Sequence, residues 1–241
     1  MKRFLLVVLL AMQAGLGAQA QTVQAVTEAT SYSYLRDGKV SGPATEVVEA
    51  TLQRAGLDYR LNLYPWARAY DQARNQPNVL IYMIARTPER ELGFKWVGEF
   101  MKMQYHLYKL KERKDVVVSS LQDARSYSVG VVRDDLRHQY LKSRGFAKVV
   151  VSAHNIDNFR KLVSRQIQLI PLPENDALSL CQEAGVNCAD LERVLTLDEL
   201  TASLYMAYGM STPDQVVERT RAAFQKLKVE GWVGRVMQGR P

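Results

Sequence analysis

The sequence predicts an α/β protein built as two lobes of similar plan, and three observations carry that reading. From Val23 onward, short apolar or β-branched runs alternate with amphipathic stretches of helical length, the pattern of strands interleaved with helices. The alternation passes through two cycles, separated by a charged stretch around Lys109, Lys111, Glu112, Arg113, Lys114 and Asp115. The chain has 241 residues, 47% hydrophobic and 24% charged, with a mean hydropathy of -0.22. Those values exclude disordered, collagen-like and coiled-coil chains, and the length suits one large domain or two modest ones.

In chain order, Val23 to Thr27 is a first strand and Tyr34 to Val40 a turn. Ala44 to Ala55 is a helix, with Val47, Val48 and Leu52 on one face and Gly56 as its stop. Leu57 to Leu63 is a strand, Trp66 to Asn75 a helix, and Val79 to Ile84 a fully apolar strand, completing one βαβαβ unit. A further run spans Phe100 to Lys109. The second cycle opens at Leu121 to Ala124, with strands at Ser128 to Val132 and Lys148 to Val151 around a helix from Asp135 to Arg144. Ile156 to Ser164 is helical, and Ile167 to Pro171 is apolar again. Leu204 to Tyr208 is a late strand. Thr212-Pro213-Asp214 opens a last helix to Lys228, threonine as cap and proline at its first position.

The N-terminus has the pattern of a secretory signal peptide over residues 1–20: basic Met1-Lys2-Arg3, apolar Phe4 to Leu10, and small-x-small Ala18-Gln19-Ala20 before Gln21. A membrane anchor would need roughly 20 consecutive apolar residues, and Gln13 and Gln19 interrupt this stretch. The expected product is soluble and exported. Its charge is mild: of 32 basic residues two lie in the first 20, leaving 30 against 25 acidic ones. The Lys109 to Lys114 cluster holds an acidic residue and lacks the aromatic interleaving of a single-strand binding groove, so it reads as a solvated linker face, with no nucleic-acid partner.

Cys181 and Cys188 lie seven positions apart in a chain bound for an oxidising compartment. A disulfide is the leading reading, and two free buried thiols would look the same in sequence. The three histidines, His106, His138 and His154, stand at no metal-binding spacing, so no metal or other cofactor is expected.

Ile84-Ala85-Arg86-Thr87-Pro88-Glu89-Arg90, followed by Phe94-Lys95-Trp96-Val97-Gly98, resembles the segment of bacterial extracellular solute-binding proteins of family 3, the polar amino-acid binders that serve ABC transporters. Tyr32 to Gly42, Tyr64 to Ala69, Leu121 to Asp123 with Val129 to Val131, and Leu227 to Trp232 resemble further family segments in the same order, so the resemblance covers nearly the whole mature chain. It implies a two-lobed, type II periplasmic-binding-protein-like clamp, each lobe a mixed sheet flanked by helices. Residues 22–106 and 197–241 would form a discontinuous first lobe and 111–193 an inserted second, with hinges near 107–110 and 194–196.

By the same resemblance Arg90 grips a ligand carboxylate, for which a guanidinium offers two parallel hydrogen bonds; the bland alternative is a surface pair with Glu89 or Glu91. Arg86, at the same strand end, is a second cation or a solvent-exposed one. Trp66 and Tyr32 are stacking walls or core packing, and Glu28 is an acceptor for an ammonium or a local cap. On the second lobe the chain departs from the family. Val132-Arg133-Asp134-Asp135 replaces a glycine-containing loop, and Leu172 stands where an ammonium-binding aspartate is expected, leaving Asp134 or Glu174 as substitutes. A free ammonium buried against leucine would be costly.

The expected function is that of a non-catalytic periplasmic solute-binding protein capturing a small polar, carboxylate-bearing solute for an ABC-transporter permease. The alternatives are a sensor or partner-docking module and, with Glu174 as a general acid, a dehydratase-like enzyme on the same fold; no catalytic triad, phosphate loop or His-Glu-x-x-His motif is present.

Overall fold

The computed structural model describes residues 22–239, so the signal-peptide reading of residues 1–20 lies outside the described residues. The elements are β1 (Val23–Thr27), β2 (Tyr34–Arg36), β3 (Lys39–Ser41), α1 (Pro43–Arg54), β4 (Tyr59–Leu63), α2 (Trp66–Asn75), β5 (Val79–Ala85) and β6 (Phe94–Leu110). They continue with α3 (Leu121–Ala124), β7 (Val129–Val132), α4 (Leu136–Ser143), β8 (Val149–Ser152), α5 (Asn155–Val163), β9 (Ile170–Leu172), α6 (Glu174–Ala184), β10 (Leu191–Gly209), α7 (Asp214–Val229) and α8 (Trp232–Met237).

A six-stranded sheet has the order β4-β1-β5-β10-β6-β9. β1 lies parallel to β4 and β5, and the pairs β5/β10, β10/β6 and β6/β9 are antiparallel. Every residue of β5 is buried, which is why it reads as a continuous apolar run and not as an alternation. A smaller parallel pair, β7 and β8, joins the large sheet through a bridge from Val129 to Leu169, the residue before β9. Each end of the molecule is therefore an α/β lobe. One holds β1, β4 and β5 with α1, α2, α7 and α8; the other holds β7 to β9 with α3 to α6.

The lobes share two long strands, β6 of 17 residues and β10 of 19. Their pairing runs from Leu110 opposite Leu191 to Phe94 opposite Gly209. It slips at Val194, and again over residues 198–201, which stand opposite Gln104 alone. The sequence shows only pieces of this ribbon, Phe100 to Lys109 and Leu204 to Tyr208. In the N-terminal half of β10 the apolar residues Leu191, Val194, Leu195, Leu197 and Leu200 fall at helix-like spacings, so period alone misleads there.

Local chemistry explains the other elements. Asp37 and Gly38 both have positive φ, 51° and 74°, the backbone of the tight turn that joins β2 to β3. The turn expected over Tyr34 to Val40 is thus a complete hairpin. Thr212 does not cap α7: the N-cap is Pro213, and the Thr212 hydroxyl accepts the Asn78 backbone N–H at 3.0 Å. α6, ending at Gly185 in the left-handed region, occupies a segment in which the sequence reading placed no helix. Cys181 on α6 and Cys188 are joined in a disulfide, with Cα atoms 5.5 Å apart.

The first-lobe core packs α1, α7 and α8 against the sheet, and it is tight at Gly98 on β6. A Cβ there would stand 2.1 Å from Phe224 Cε1, so the absence of a side chain makes room for a ring that is itself fully buried. Gly98→Ala is expected to destabilise the protein by about 1–3 kcal/mol, read as a drop in denaturation midpoint. If the clash is with Phe224, Phe224→Leu, which trims the ring, should cost less in the Gly98→Ala background than in the wild type; equal costs would place the clash elsewhere.

Candidate functional site

The C-terminal ends of β1, β5 and β7 converge between the lobes, the usual place for a site in an open α/β sheet. A cavity there is lined by Glu28 just after β1, Trp66 at the start of α2, and Met83 and Ala85 on β5. Arg90 from the β5–β6 turn, Tyr105 on β6, Asp135, Leu136 and Arg137 at the start of α4, and Leu204 on β10 complete it. Its internal space is small, about 30 Å3. Met83 reaches it through a register shift in the β5–β10 pairing, where its φ is +59°, an example of a bulge aiming a side chain.

Arg90 is 2% exposed. Its Nη1 donates to the Ala85 carbonyl at 3.2 Å, and its guanidinium carbon lies 5.2 Å from the ring centres of both Trp66 and Tyr70. Nε and Nη2 are buried without a partner. Those two nitrogens form one edge of the guanidinium, the geometry that receives both oxygens of a carboxylate. Burial lowers the Arg90 pKa, with Tyr70, Asp135 and Tyr105 opposing, yet an arginine stays charged in proteins. A buried cation with a free edge is costly unless something accepts from it.

Opposite it, Arg137 and Asp135 form an ion pair in which both side chains are buried, each 6% exposed. Arg137 Nε donates to Asp135 Oδ2 at 2.6 Å and its Nη1 to the Pro171 carbonyl at 3.1 Å. The other oxygen of Asp135 accepts the His138 backbone N–H at 2.7 Å and caps α4. Burial alone would lower the Arg137 pKa, but Asp135 and Glu28 more than offset it and the net shift is upward. Glu28 makes no hydrogen bond or ion pair among the described residues. Burial first, then the Asp135 and Asp176 carboxylates, raise its pKa to about 8, against the opposing pull of Arg137 and Arg90.

Of the sequence-predicted site residues, the structure therefore brings Arg90, Trp66 and Glu28 into one cavity. Arg90 pairs with neither Glu89 nor Glu91; Arg86 takes Glu91 instead, Nε to Oε2 at 2.8 Å, and lies exposed over the Trp96 and Tyr205 rings. Tyr32 packs in the first-lobe core, and its hydroxyl accepts Asn175 Nδ2 at 2.8 Å. Arg133 and Asp134 are exposed, because the chain turns at Asp134 with φ of +58° and Asp135, the helix cap, is the residue that faces inward. Asp134 contributes its carbonyl, which accepts the Trp66 indole N–H at 3.1 Å across the cleft. Glu174 is exposed in the first turn of α6, away from the cavity, and Leu172 is wholly buried in the second-lobe core.

The sequence reading missed Asp135, Arg137 and Tyr105. The signal for Asp135 lay in its place as a capping aspartate directly before a helix, with Arg137 two residues on. A second link between the lobes was also missed: Asp176 Oδ1 accepts from both the backbone N–H and the hydroxyl of Ser31, at 2.9 and 2.6 Å.

With this geometry in hand, solved structures give the match. The chain has the periplasmic-binding-protein fold. A histidine kinase sensor domain with similarity to periplasmic binding proteins superposes with a TM-score of 0.81 at 15% identity, covering 91% of this chain and 95% of that one. An amino acid ABC transporter substrate-binding protein from Streptococcus pneumoniae, bound to L-arginine, gives 0.77 at 19% identity, covering 90% and 93%. An ancestral arginine-binding protein bound to arginine gives 0.78 at 16%, covering 90% and 97%. No protein-family model matches the sequence and no curated protein matches it.

The raised Glu28 pKa has a sign that stability can report. Folded Glu28 holds its proton up to about pH 8, whereas an unfolded glutamate loses it near pH 4.5, so its contribution is full below the lower value and is lost as pH rises through the higher one. Glu28→Gln should flatten the fall in stability between those values and leave the variant more stable than the wild type above pH 8, by a few kcal/mol at most. Melting temperatures of both proteins across that range check it; parallel profiles would show that Glu28 titrates normally.

Proposed function

We propose that this chain is an exported periplasmic solute-binding protein that captures a small carboxylate-bearing solute between its lobes and delivers it to the membrane permease of an ABC transporter. The observation that carries the reading is the free edge of Arg90, a buried guanidinium that lines the interlobe cavity and has two donors without a partner. Trp66 stacks against it and supplies the flat apolar wall that a small solute needs. The signal pattern over residues 1–20 supports the compartment, and the neighbouring structures, which include ABC-transporter substrate-binding proteins, support the role. Binding is the activity; none of the lining residues is assigned a catalytic step.

A space of about 30 Å3 holds no more than about two waters, so a solute enters by parting the lobes. The hinge we assign lies where the β6–β10 ribbon loses register at Val194, opposite Leu107 and Tyr108, and the first and second lobes extend from it over the ranges 22–106 with 197–241 and 111–193; the second slip, over residues 198–201, falls just inside the first lobe. Leu172 lies wholly buried in the second-lobe core, outside the cavity lining, and the lining carboxylate of Asp135 is spent on Arg137 and the α4 cap, so an α-ammonium finds no ready partner there, which sets the solute apart from a standard amino acid. A sensing module is the second reading, favoured by the likeness to a histidine kinase sensor domain; it shares the same site and differs only in the partner.

Thermal-shift and calorimetric screening of carboxylates that lack an ammonium group, beside common L-amino acids, tests the solute class, since a specific ligand raises the melting point by mass action. The carboxylates should give the larger shifts. Arg90→Ala should remove that binding by roughly 2–5 kcal/mol while the circular dichroism of the fold is kept, and Arg90→Lys should recover little, because an ammonium lacks the two-pronged edge. A strong response to L-amino acids, or binding unchanged in Arg90→Ala, would overturn the assignment.

A further inference from the structure

We infer that Glu28 is the residue that sets solute charge at this site: a carboxylate ligand is taken up together with one proton on Glu28, and is rejected when Glu28 is ionised. The inference rests on the reading of Arg90 as the carboxylate clamp and deepens it. It comes from the charges around Glu28, of which Arg90, Arg137 and Asp135 line one small cavity with it. Facing Glu28 are Arg137 and Asp135 from the start of α4, Asp176 from α6, and Arg90 from the β5–β6 turn, with Tyr105 on β6 kept neutral by burial.

Three carboxyl groups thus meet two guanidiniums, and most of these charges are already committed. Arg137 and Asp135 satisfy each other by direct contact. Asp176 is held by the Ser31 backbone and hydroxyl. Glu28 and Arg90 remain, both lining the cavity and making no ion pair with each other or with any described residue. Ionised, Glu28 is drawn to both guanidiniums, to Arg137 more than to Arg90. A carboxylate placed against Arg90 sets a second negative charge in a space that admits about two waters, where one of the two must take a proton.

Protonated Glu28 removes the repulsion and gains an O–H with which to donate to the ligand. The protein carries this proton at neutral pH, because burial and the neighbouring Asp135 and Asp176 raise the Glu28 pKa to about 8. A solute bearing an ammonium group places the opposite demand on the same side chain: it would be held by the ionised acid and would bind better as pH rises. One carboxyl group, placed after β1, therefore discriminates between solutes of opposite charge pattern.

Calorimetric titration of the full mature protein with propionate and pyruvate, and separately with L-alanine, from about pH 6.5 to about pH 9.5 tests the inference. Affinity for the two carboxylates should hold to about pH 8 and then fall about tenfold per pH unit, with heats in buffers of different ionisation enthalpy reporting up to about one proton taken up per ligand. In Glu28→Gln both the slope and the proton uptake should vanish, whereas Glu183→Gln, an exposed acid on α6, should keep them. Carboxylate binding without slope or proton uptake in the wild type, or a slope that survives in Glu28→Gln, overturns the role of Glu28 and leaves the Arg90 clamp standing. Failure of both carboxylates to bind at any pH, with L-alanine binding more tightly as pH rises, overturns the carboxylate reading itself.

Discussion

The antiparallel pairing of β6 with β10 is the constraint on which the rest of the structure depends. Each strand spends one half in each lobe, so the lobes are held together by a hydrogen-bonded ribbon and not by a loose linker. The ribbon also supplies the floor of the cavity, through Tyr105 on one strand and Leu204 on the other. Where four residues of β10 face one of β6, the ladder is interrupted and the backbone can change angle without breaking the pairing on either side. The same irregularity sits between Tyr105 and Met103, so any change of angle there would also alter the shape of the cavity floor.

On that frame the cavity concentrates charge in a way that most cores avoid. A buried ion pair is weak evidence for stability, because desolvation of both partners can exceed their attraction. The Asp135–Arg137 pair is retained with every group satisfied: one Asp135 oxygen caps a helix while the other meets the guanidinium, and the remaining Arg137 donor reaches the Pro171 carbonyl next to β9. It therefore ties α4 to β9 within the second lobe. Arg90 is the contrasting case, a guanidinium with one bond to backbone and two donors left over. One arginine is finished by its neighbours and the other is not, and that difference is what the proposed binding role of Arg90 rests on.

Much of the fold was legible in the sequence because local signals and tertiary fate agree. Trp66 to Asn75 reads as a helix and is one, and the fully apolar run from Val79 is a strand buried on both faces. The ribbon was only partly legible, since the first half of β10 carries apolar residues at helical spacing and gains its pairing from residues some ninety positions away, which no local pattern records. Arg90 and Trp66, singled out through the segments that resemble the family, and Glu28, through its place after the first strand, come together in one cavity. Arg133 and Asp134 were preferred to Asp135 and Arg137 because a positive φ at Asp134 reverses which side chains face inward. A run of charged residues cannot show that reversal in one dimension.

Trp66 has a further consequence. Its ring lies against Arg90 and its indole N–H is spent on a carbonyl of the opposite lobe, so the same chromophore touches Arg90 and the far wall of the cleft. Parting the lobes, as proposed above, would remove that bond and bring water to a ring that is otherwise 4% exposed. Trp96 is packed among Phe94 and Tyr205, and Trp232 lies on α8 beside the first-lobe core; neither spans the cleft. The molecule thus carries its own optical gauge of lobe separation, readable in the native emission spectrum with no label attached.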